Sequence, residues 1–151
     1  MDWSGRSVTL VNFHTLATGT LWPHGVRRSF AQRDEALQAL ADFVAVRSAD
    51  VPVIVAGDAN VTQLNEAYQT LTAVMADSWR EAGWGFGHTF PGPIGDGIDY
   101  AQISFLRVPF WLVRIDYIFH SSQWTTASMR MAEFNGGSDH RGLVADFVLA
   151  E

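Results

Sequence analysis

The sequence contains no cysteine. Disulfide bonds, thiolate metal sites and cysteine nucleophiles are therefore excluded, and the sequence carries no sign of its redox compartment. A bound metal ion would need ligands from aspartate, glutamate, asparagine or histidine side chains.

An excess of positive charge is also absent. The chain has 10 Lys and Arg residues against 16 Asp and Glu residues, which gives a formal net charge of −6. Nucleic-acid binding normally needs a basic face, so this balance argues against a nucleic-acid partner without excluding one. Small or lipid-linked phosphates bound through a cation are compatible with it.

Long apolar runs are missing as well. No run reaches the length of a membrane span, and the first six residues are too polar for a signal peptide, so we expect a soluble protein. The sequence does not distinguish between the cytoplasm and the bacterial envelope as the location of the protein. With 151 residues and 48% hydrophobic content, the chain is predicted to form one domain over residues 1–151.

The stretch 51–60, VPVIVAGDAN, organises the chain. Its apolar first part suits a strand covered on both faces, and the run ends in a turn that carries Asp58 and Asn60. In layered α/β proteins, catalytic and binding groups collect at the C-terminal ends of such strands. Gly-Asp-Ala-Asn also satisfies turn chemistry, so a simple turn and a functional site are both open at this point.

Strands and helices alternate around this stretch. Residues 8–13 predict a strand that ends at His14, and 29–47 predict a helix that opens with a capping box. Thr62 can cap a second helix. This order predicts an α/β (α+β) fold. Later strands are predicted at 113–119, 124–131 and 143–149, after an irregular segment at 77–112 that is rich in glycine and proline and suits a functional rim.

Three further positions could carry chemistry. Asp139 and His140 follow two glycines just before a strand, which suits a metal ligand beside an acid/base group, or a solvated turn. Asp116 is a carboxylate in an otherwise apolar strand, where a histidine would be its functional partner and Arg114 its structural one. His14 closes the first strand, either as a functional group or as a hydrogen-bonded core histidine.

Together these positions form a known pattern. The motifs, in chain order, are Asn12-Phe13-His14-Thr15, Gly57-Asp58-Ala59-Asn60, Thr89-Phe90-Pro91, Arg114-Ile115-Asp116-Tyr117 and Ser138-Asp139-His140. In order and approximate spacing they resemble the endonuclease/exonuclease/phosphatase superfamily, which has the DNase I-like fold. Gly-His-Thr-Phe-Pro followed by Arg-Ile-Asp-Tyr is most similar to bacterial members that face the cell envelope, some of which are phosphatases of lipid-linked pyrophosphate.

The resemblance implies a catalytic role for each matched residue. Asp58 would orient and deprotonate the attacking water, while Asn60 would hold the nucleophile and a phosphate oxygen. His140, oriented by Asp116, would stabilise the charge of the transition state, and His14 would contact the scissile phosphate. The implied activity is hydrolysis of phosphomonoesters, pyrophosphates or phosphodiesters.

The resemblance also implies a divalent cation, Mg²⁺ or Mn²⁺, held by Asp139 and Asp58. With so few carboxylates we expect loose binding, and no metal in a structure solved without substrate or a high concentration of the ion. Glu35, Thr89 and Arg114 receive no role.

The sequence departs from the family at its start. The family's first strand with its Asn, and the following Glu that is a principal metal ligand, have no counterpart, and Glu35 falls on a predicted helix instead. The chain therefore resembles the C-terminal half of a four-layer α/β/β/α sandwich, and we expect a weak or incomplete phosphoesterase. The alternative is a catalytically inert half-domain that self-assembles as a scaffold.

Assembly and surface contacts follow from the missing half. One face of a single sheet of about five strands would be left uncovered, exposing on the order of 800 Å² per chain, so we expect a two-fold homodimer packed sheet on sheet. A monomer whose sheet curls over its own apolar side chains is the competing outcome. The apolar stretch 103–112 is expected to be buried at a sheet edge or partner, or to form a lip that meets a membrane surface.

Overall fold

The computed structural model describes residues 2–3, 5–17, 26–93, 101–103 and 106–150. In chain order, the helices are α1 (Val26–Arg47), α2 (Glu66–Thr72) and α3 (Ser78–Ala82). The strands are β1 (Asp2–Trp3), β2 (Arg6–Ser7), β3 (Thr9–His14), β4 (Val53–Asp58), β5 (Ala76–Asp77), β6 (Ala101–Ile103), β7 (Leu106–Val108), β8 (Asp116–His120), β9 (Trp124–Met131) and β10 (Leu143–Leu149).

A four-stranded mixed sheet with the order β3-β4-β8-β5 forms the centre of the fold. Strands β3 and β4 run parallel, and β8 is antiparallel to both β4 and β5. The parallel pair requires a crossover connection, and α1 lies within it. The mixed sheet with helices confirms the predicted α/β class.

Helices α1 and α2 cover one face of this sheet. Leu37, Val44 and Leu71 on the helices, with Val53 and Val55 on β4, are completely buried in one core cluster. Burial of each such side chain is worth about 1.5–3 kcal/mol, so this layer supplies much of the driving force for folding. Among the described residues, no helix combines the length and apolar character needed to cross a bilayer.

Helix α2 begins later than the sequence predicts. Thr62 is not its cap; instead Oδ1 of Asn65 accepts hydrogen bonds from the Thr62 backbone N–H at 2.8 Å and the Thr62 hydroxyl at 3.0 Å. These bonds hold residues 62–65 in a turn, and the helix starts at Glu66. Helix α1 ends at Arg47 as predicted, but it begins at Val26, so the predicted capping box at Ser29 lies inside the helix.

The last two strands form a separate hairpin. Strands β9 and β10 have the predicted bounds, but within the described part of the chain they pair only with each other and do not extend the central sheet. The expectation of one sheet of about five strands is therefore wrong. Phe147 on β10 packs against the ring of His120 on β8 at a centroid distance of 5.4 Å, and this contact helps to hold the hairpin on the central sheet. Its contact with the Trp124 ring at 5.9 Å lies within the hairpin.

The segment 77–112 contains more regular structure than its glycines and prolines suggest, with α3, β6 and β7 inside it. Strand β8 is shorter than predicted, because the backbone of Val113 bonds to Thr89 and Phe90 instead of to the central sheet. Residues 104–105 lie outside the described part of the chain, so the expectation for 103–112 as a continuous lip falls partly outside it.

Gly57 allows β3 and β4 to approach each other beside the end of the sheet. A Cβ atom at this position would lie 1.8 Å from the carbonyl oxygen of Phe13. Only glycine fits such a contact, and it preserves the register that aligns His14 with Asp58.

Candidate active site

Three of the predicted site residues form one row across the central sheet. His14 on β3 pairs in register with Asp58 on β4, and Asp58 pairs in turn with Asp116 on β8. The Nε2 atom of His14 lies 3.5 Å from Oδ2 of Asp58. The His14 side chain is 71% exposed, which rules out the alternative that it is a hydrogen-bonded core histidine.

Asn60 holds the Asp58 carboxylate in place. Its backbone N–H donates to Oδ1 of Asp58 at 2.7 Å, and its side-chain amide donates to Oδ2 at 2.9 Å. The same amide also donates to the Thr15 carbonyl at 3.0 Å. Asn60 adopts φ 49°, a left-handed conformation that asparagine tolerates better than most residues. The two interpretations of this motif, a turn and a functional site, are thus compatible, because the turn orients the carboxylate.

Burial shapes the chemistry of Asp58. Its side chain is only 13% exposed, and this burial raises the pKa of the Asp58 carboxyl above its ordinary value. The hydrogen bond from the Asn60 backbone opposes part of that rise. A carboxylate of raised pKa is a better proton acceptor, which is a property expected of a general base.

His140 reaches the row through Asp116. Its Nδ1 atom lies 2.8 Å from Oδ2 of Asp116, and this hydrogen bond raises the pKa of His140 above its ordinary value. The Phe90 ring packs beside the imidazole with a centroid distance of 4.7 Å. The pairing of Asp116 with Arg114, which the sequence left open, does not occur.

Arg114 instead forms a buried pair with Asp77. Two nitrogens of the guanidinium donate to the two carboxylate oxygens, at 2.9 and 2.6 Å. Asp77 also accepts from the Tyr68 hydroxyl at 2.6 Å and from the Trp79 backbone at the start of α3. This network joins α2, α3 and the residues before β8, and we interpret Arg114 as structural.

Thr89 connects the glycine-rich segment to the row. It is fully buried, and its hydroxyl accepts hydrogen bonds from the backbone N–H groups of Ile115 and Asp116, at 3.2 and 3.3 Å. Its carbonyl accepts from the Arg141 backbone at 2.8 Å. The sequence did not predict this role for Thr89, which it marks only through the motif Thr-Phe-Pro.

Arg33 connects α1 to the same turn. This buried side chain donates from Nη1 to the carbonyl of Asn60 at 2.7 Å. The α1 residue considered from the sequence, Glu35, is exposed on the surface of that helix. Nothing in the sequence distinguished Arg33 from the other basic residues of α1, because its contact depends on how the helix packs.

Asp58, Asp116 and His140 form a group that could hold a metal ion. One ligand atom from each lies within 4.8 Å of the others. Carboxylate oxygens are the ligands that Mg²⁺ and Mn²⁺ prefer, so the two aspartates fit a cation of this kind. Nδ1 of His140 is already engaged by Asp116.

Asp139 lies outside this group, although its charge contributes to the raised pKa of His140 after those of Asp116 and Asp58. Its role as a metal ligand stays a prediction.

Fold and site together define a layered α/β protein with a cluster of carboxylate, amide and imidazole groups at the end of a mixed sheet. The sequence matches the Endonuclease/Exonuclease/phosphatase family over residues 2–140, so the chain belongs to this family. A search of the curated proteins finds no significant match.

Solved structures share the fold. The mannosyl-6-phosphatase Bt3783 of Bacteroides thetaiotaomicron is 20% identical with a TM-score of 0.65, covering 97% of this chain and 53% of that one. An endonuclease/exonuclease/phosphatase from Bacteroides vulgatus is 28% identical with a TM-score of 0.56, covering 79% and 44%. TDP2 of D. rerio, complexed with a single-stranded DNA product, is 19% identical with a TM-score of 0.65, covering 97% and 58%. The chain thus spans about half the length of these structures.

Proposed function

We propose that this chain hydrolyses phosphate esters with the help of a divalent cation, Mg²⁺ or Mn²⁺. The observation that carries the proposal is the row of His14, Asp58 and Asp116 with His140 bonded to its end. Membership of the family supports hydrolysis of this general kind. Phosphoryl transfer needs an aligned water and neutralisation of developing charge, and the row offers groups for both.

Asp58 is proposed to accept a proton from the attacking water. Burial gives it a raised pKa, and the two hydrogen bonds from Asn60 fix the direction of its oxygens. The two N–H groups of the Asn60 amide donate to Asp58 and to the Thr15 carbonyl, so its Oδ1 atom is the group that can hold the attacking water, by accepting a hydrogen bond from it.

His140 and His14 are proposed to bind the phosphate from two sides. Because Asp116 holds Nδ1 of His140 and raises its pKa, the imidazolium can donate from Nε2 to an oxygen that gains charge. His14 is exposed and lies 3.5 Å from Asp58, so it can meet the phosphate from the side of β3.

Asp58 and Asp116 are proposed to hold the cation, with Asp139 as a further candidate ligand. When bound, the ion would neutralise phosphate charge and orient the ester. Among the described residues, the group that could hold it contains two carboxylates, so we expect loose binding and low turnover.

The substrate is proposed to be a small phosphate ester. Of the three neighbours named above, one is a mannosyl-6-phosphatase and another is complexed with a single-stranded DNA product, so the fold accommodates both kinds of ester. The net charge of −6 on this chain disfavours a long polyanion, which supports a small ester here.

A phosphatase and nuclease screen with Mg²⁺ and Mn²⁺ tests the proposal. Metal-dependent turnover should be present in the wild type and lost in Asp58→Ala and in His140→Ala. Asp42→Ala is the matched control, since it removes an exposed carboxylate on α1 and should leave turnover unchanged. Equal background in all four proteins would refute the hydrolase.

The second candidate is a self-assembling half-domain without activity. Its support is an apolar surface beside β3, where Trp3 and Leu10 are 53% and 54% exposed around a cavity of about 310 Å³ that Ile54 and Phe147 also line. A second copy packed there would cover these side chains. Sedimentation equilibrium at low micromolar concentration decides: a single species of 16.7 kDa is a monomer and removes this candidate.

A further inference from the structure

Arg141 lies between two neighbouring cavities. The first, of about 180 Å³, is the catalytic one, lined by Asp58, Asp116 and Arg141. The second, of about 340 Å³, is lined by Arg141 together with aromatic side chains, and we call it the aromatic cavity. Its aromatic members are Trp79, Trp84, Phe86, His88 and Trp111. The two cavities therefore share Arg141 in their linings.

The Arg141 guanidinium is oriented by Trp111. Its central carbon lies 4.1 Å from the centroid of the Trp111 ring, a cation–π contact that keeps the planar group against the indole. A guanidinium held in this way keeps several N–H donors for an anion, and it matches the geometry of phosphate oxygens. Because Arg141 also lines the catalytic cavity, it lies beside the place where the phosphate of an ester would bind.

The rim of the aromatic cavity presents unusually exposed rings. Trp84 is 93% exposed and Phe86 is 83% exposed. Phe86 also stacks on His88, with the centroids 5.3 Å apart and an interplanar angle of 20°. Large aromatic groups exposed side by side are uncommon on soluble proteins and typically mark binding surfaces.

The segment that carries these rings is fixed to the domain. The indole N–H of buried Trp79 donates to the Gly85 carbonyl at 3.0 Å. Cβ atoms added at Gly83 and Gly87 would lie 2.6 and 2.5 Å from the Trp79 ring, so both glycines pack directly on it. Trp84 and Phe86 are therefore held outward by a backbone that is anchored on both sides, as expected of a preformed site.

We propose that the aromatic cavity binds a planar aromatic ring carried by the leaving alcohol of the phosphate ester, such as the base of a nucleoside, while Arg141 contacts the phosphate. This inference rests on the proposed hydrolase function, because it places the phosphate beside Asp58. Three features select the ligand: donors for a phosphate, ring faces for stacking, and a volume within the range of small-molecule pockets. A nucleoside monophosphate combines all three requirements in one small molecule.

Binding of adenosine 5′-monophosphate and ribose 5-phosphate tests the inference, since the two esters share a phosphate and a ribose and differ in the base. Titrations by calorimetry with Mg²⁺ need no turnover, so they give an answer even if the protein does not hydrolyse either ester. We expect adenosine 5′-monophosphate to bind about 10-fold more tightly, in line with the energy of stacking one base on an aromatic ring.

Variants separate the two parts of the subsite. Trp84→Ala with Phe86→Ala should remove the preference for adenosine 5′-monophosphate, whereas Arg141→Ala should weaken binding of both esters. Phe134→Ala is the matched control, since Phe134 is 80% exposed and does not line the aromatic cavity. Equal affinity of the wild type for the two esters, or a preference that survives loss of both rings, overturns the inference.

Discussion

His140 and Asp116 form a hydrogen-bonded pair, with Nδ1 of the imidazole 2.8 Å from Oδ2 of the carboxylate, although the two residues are 24 positions apart in the chain. The bond couples a loop to the central sheet, because Asp116 begins β8 and His140 lies between β9 and β10. It also favours the protonated imidazole, which is the form that can donate to a phosphate oxygen.

The first prediction concerns that proton. Since the hydrogen bond to Asp116 is the largest cause of the raised pKa of His140, Asp116→Asn should lower this pKa. The titration of the His140 ring signals by NMR measures it directly. Asp42→Asn, which changes an exposed carboxylate on α1, should leave the curve in place. The same pKa in wild type and Asp116→Asn would contradict the assignment.

Stability should depend on pH through the same pair. A folded-state pKa above the unfolded value of roughly 6.5 means that the folded protein holds the proton more tightly. The stabilisation is therefore fully present below the unfolded pKa and is lost as pH rises through the folded value. We expect the free energy of unfolding lost in Asp116→Asn to be larger at about pH 5.5 than at about pH 8.5. Urea titrations with a chelator present measure this, and a loss that grows with pH would be the wrong sign.

Thr89→Val tests the buried hydroxyl behind the row. The substitution keeps the shape of the side chain but removes the acceptor for two backbone N–H groups, those of Ile115 and Asp116. We expect a loss of about 1–3 kcal/mol in the free energy of unfolding. Thr89→Ser keeps the hydroxyl, so its loss should be smaller. If urea unfolding shows the reverse order, the methyl group and not the hydrogen bonds carries the effect.

Arg114→Met should be among the most destabilising changes outside the apolar core. It would leave the Asp77 carboxylate buried without its cation, at a cost of about 3–5 kcal/mol. Arg130→Met, on an exposed position of β9, should change stability by less than about 0.5 kcal/mol. Thermal and urea unfolding of the two variants gives the comparison. Similar stability of both would show that Asp77 finds other partners.

Metal affinity provides the fifth prediction. Mg²⁺ normally binds through one or two carboxylates together with substrate phosphate, so the free protein should bind it only at concentrations on the order of millimolar. Asp58→Asn should weaken that binding further. Calorimetry with MgCl₂ checks both, and micromolar affinity in the absence of a phosphate ligand would show a more complete site than Asp58 and Asp116 provide.

The sequence predicted best what depends on pattern along the chain. Strands β9 and β10 have the predicted ends because alternating side chains and flanking turns mark both. The prediction that both strands belong to the central sheet was wrong, because the alternation of side chains along a strand does not encode which strand it pairs with. The start of α2 was missed for a similar reason, because Thr62 and Asn65 are both good caps and only their mutual hydrogen bonds select one.

The candidate site residues also divide into those that a pattern along the chain predicts and those that depend on tertiary packing. Asp58, Asn60, Asp116 and His140 could be singled out because a polar group at the end of an apolar strand is conspicuous in a sequence. The contact between buried His120 and exposed Glu81, 2.7 Å apart, could not, because Glu81 is one of several acidic residues and its direction depends on how α3 packs. Nothing in the sequence marks Arg141 except its place directly after Ser138-Asp139-His140, and only its position in the linings of two cavities gives it a proposed role.

Gly57 has a consequence for any survey of this protein by substitution. Every side chain at this position would collide with the Phe13 carbonyl and separate β3 from β4, so His14 would move away from Asp58. In a library scored by catalytic output, Gly57 should be as intolerant as Asp58, although it has no functional group. Scoring the same library by abundance of folded protein would separate the two positions, because Gly57 variants should be depleted there and Asp58→Asn should not.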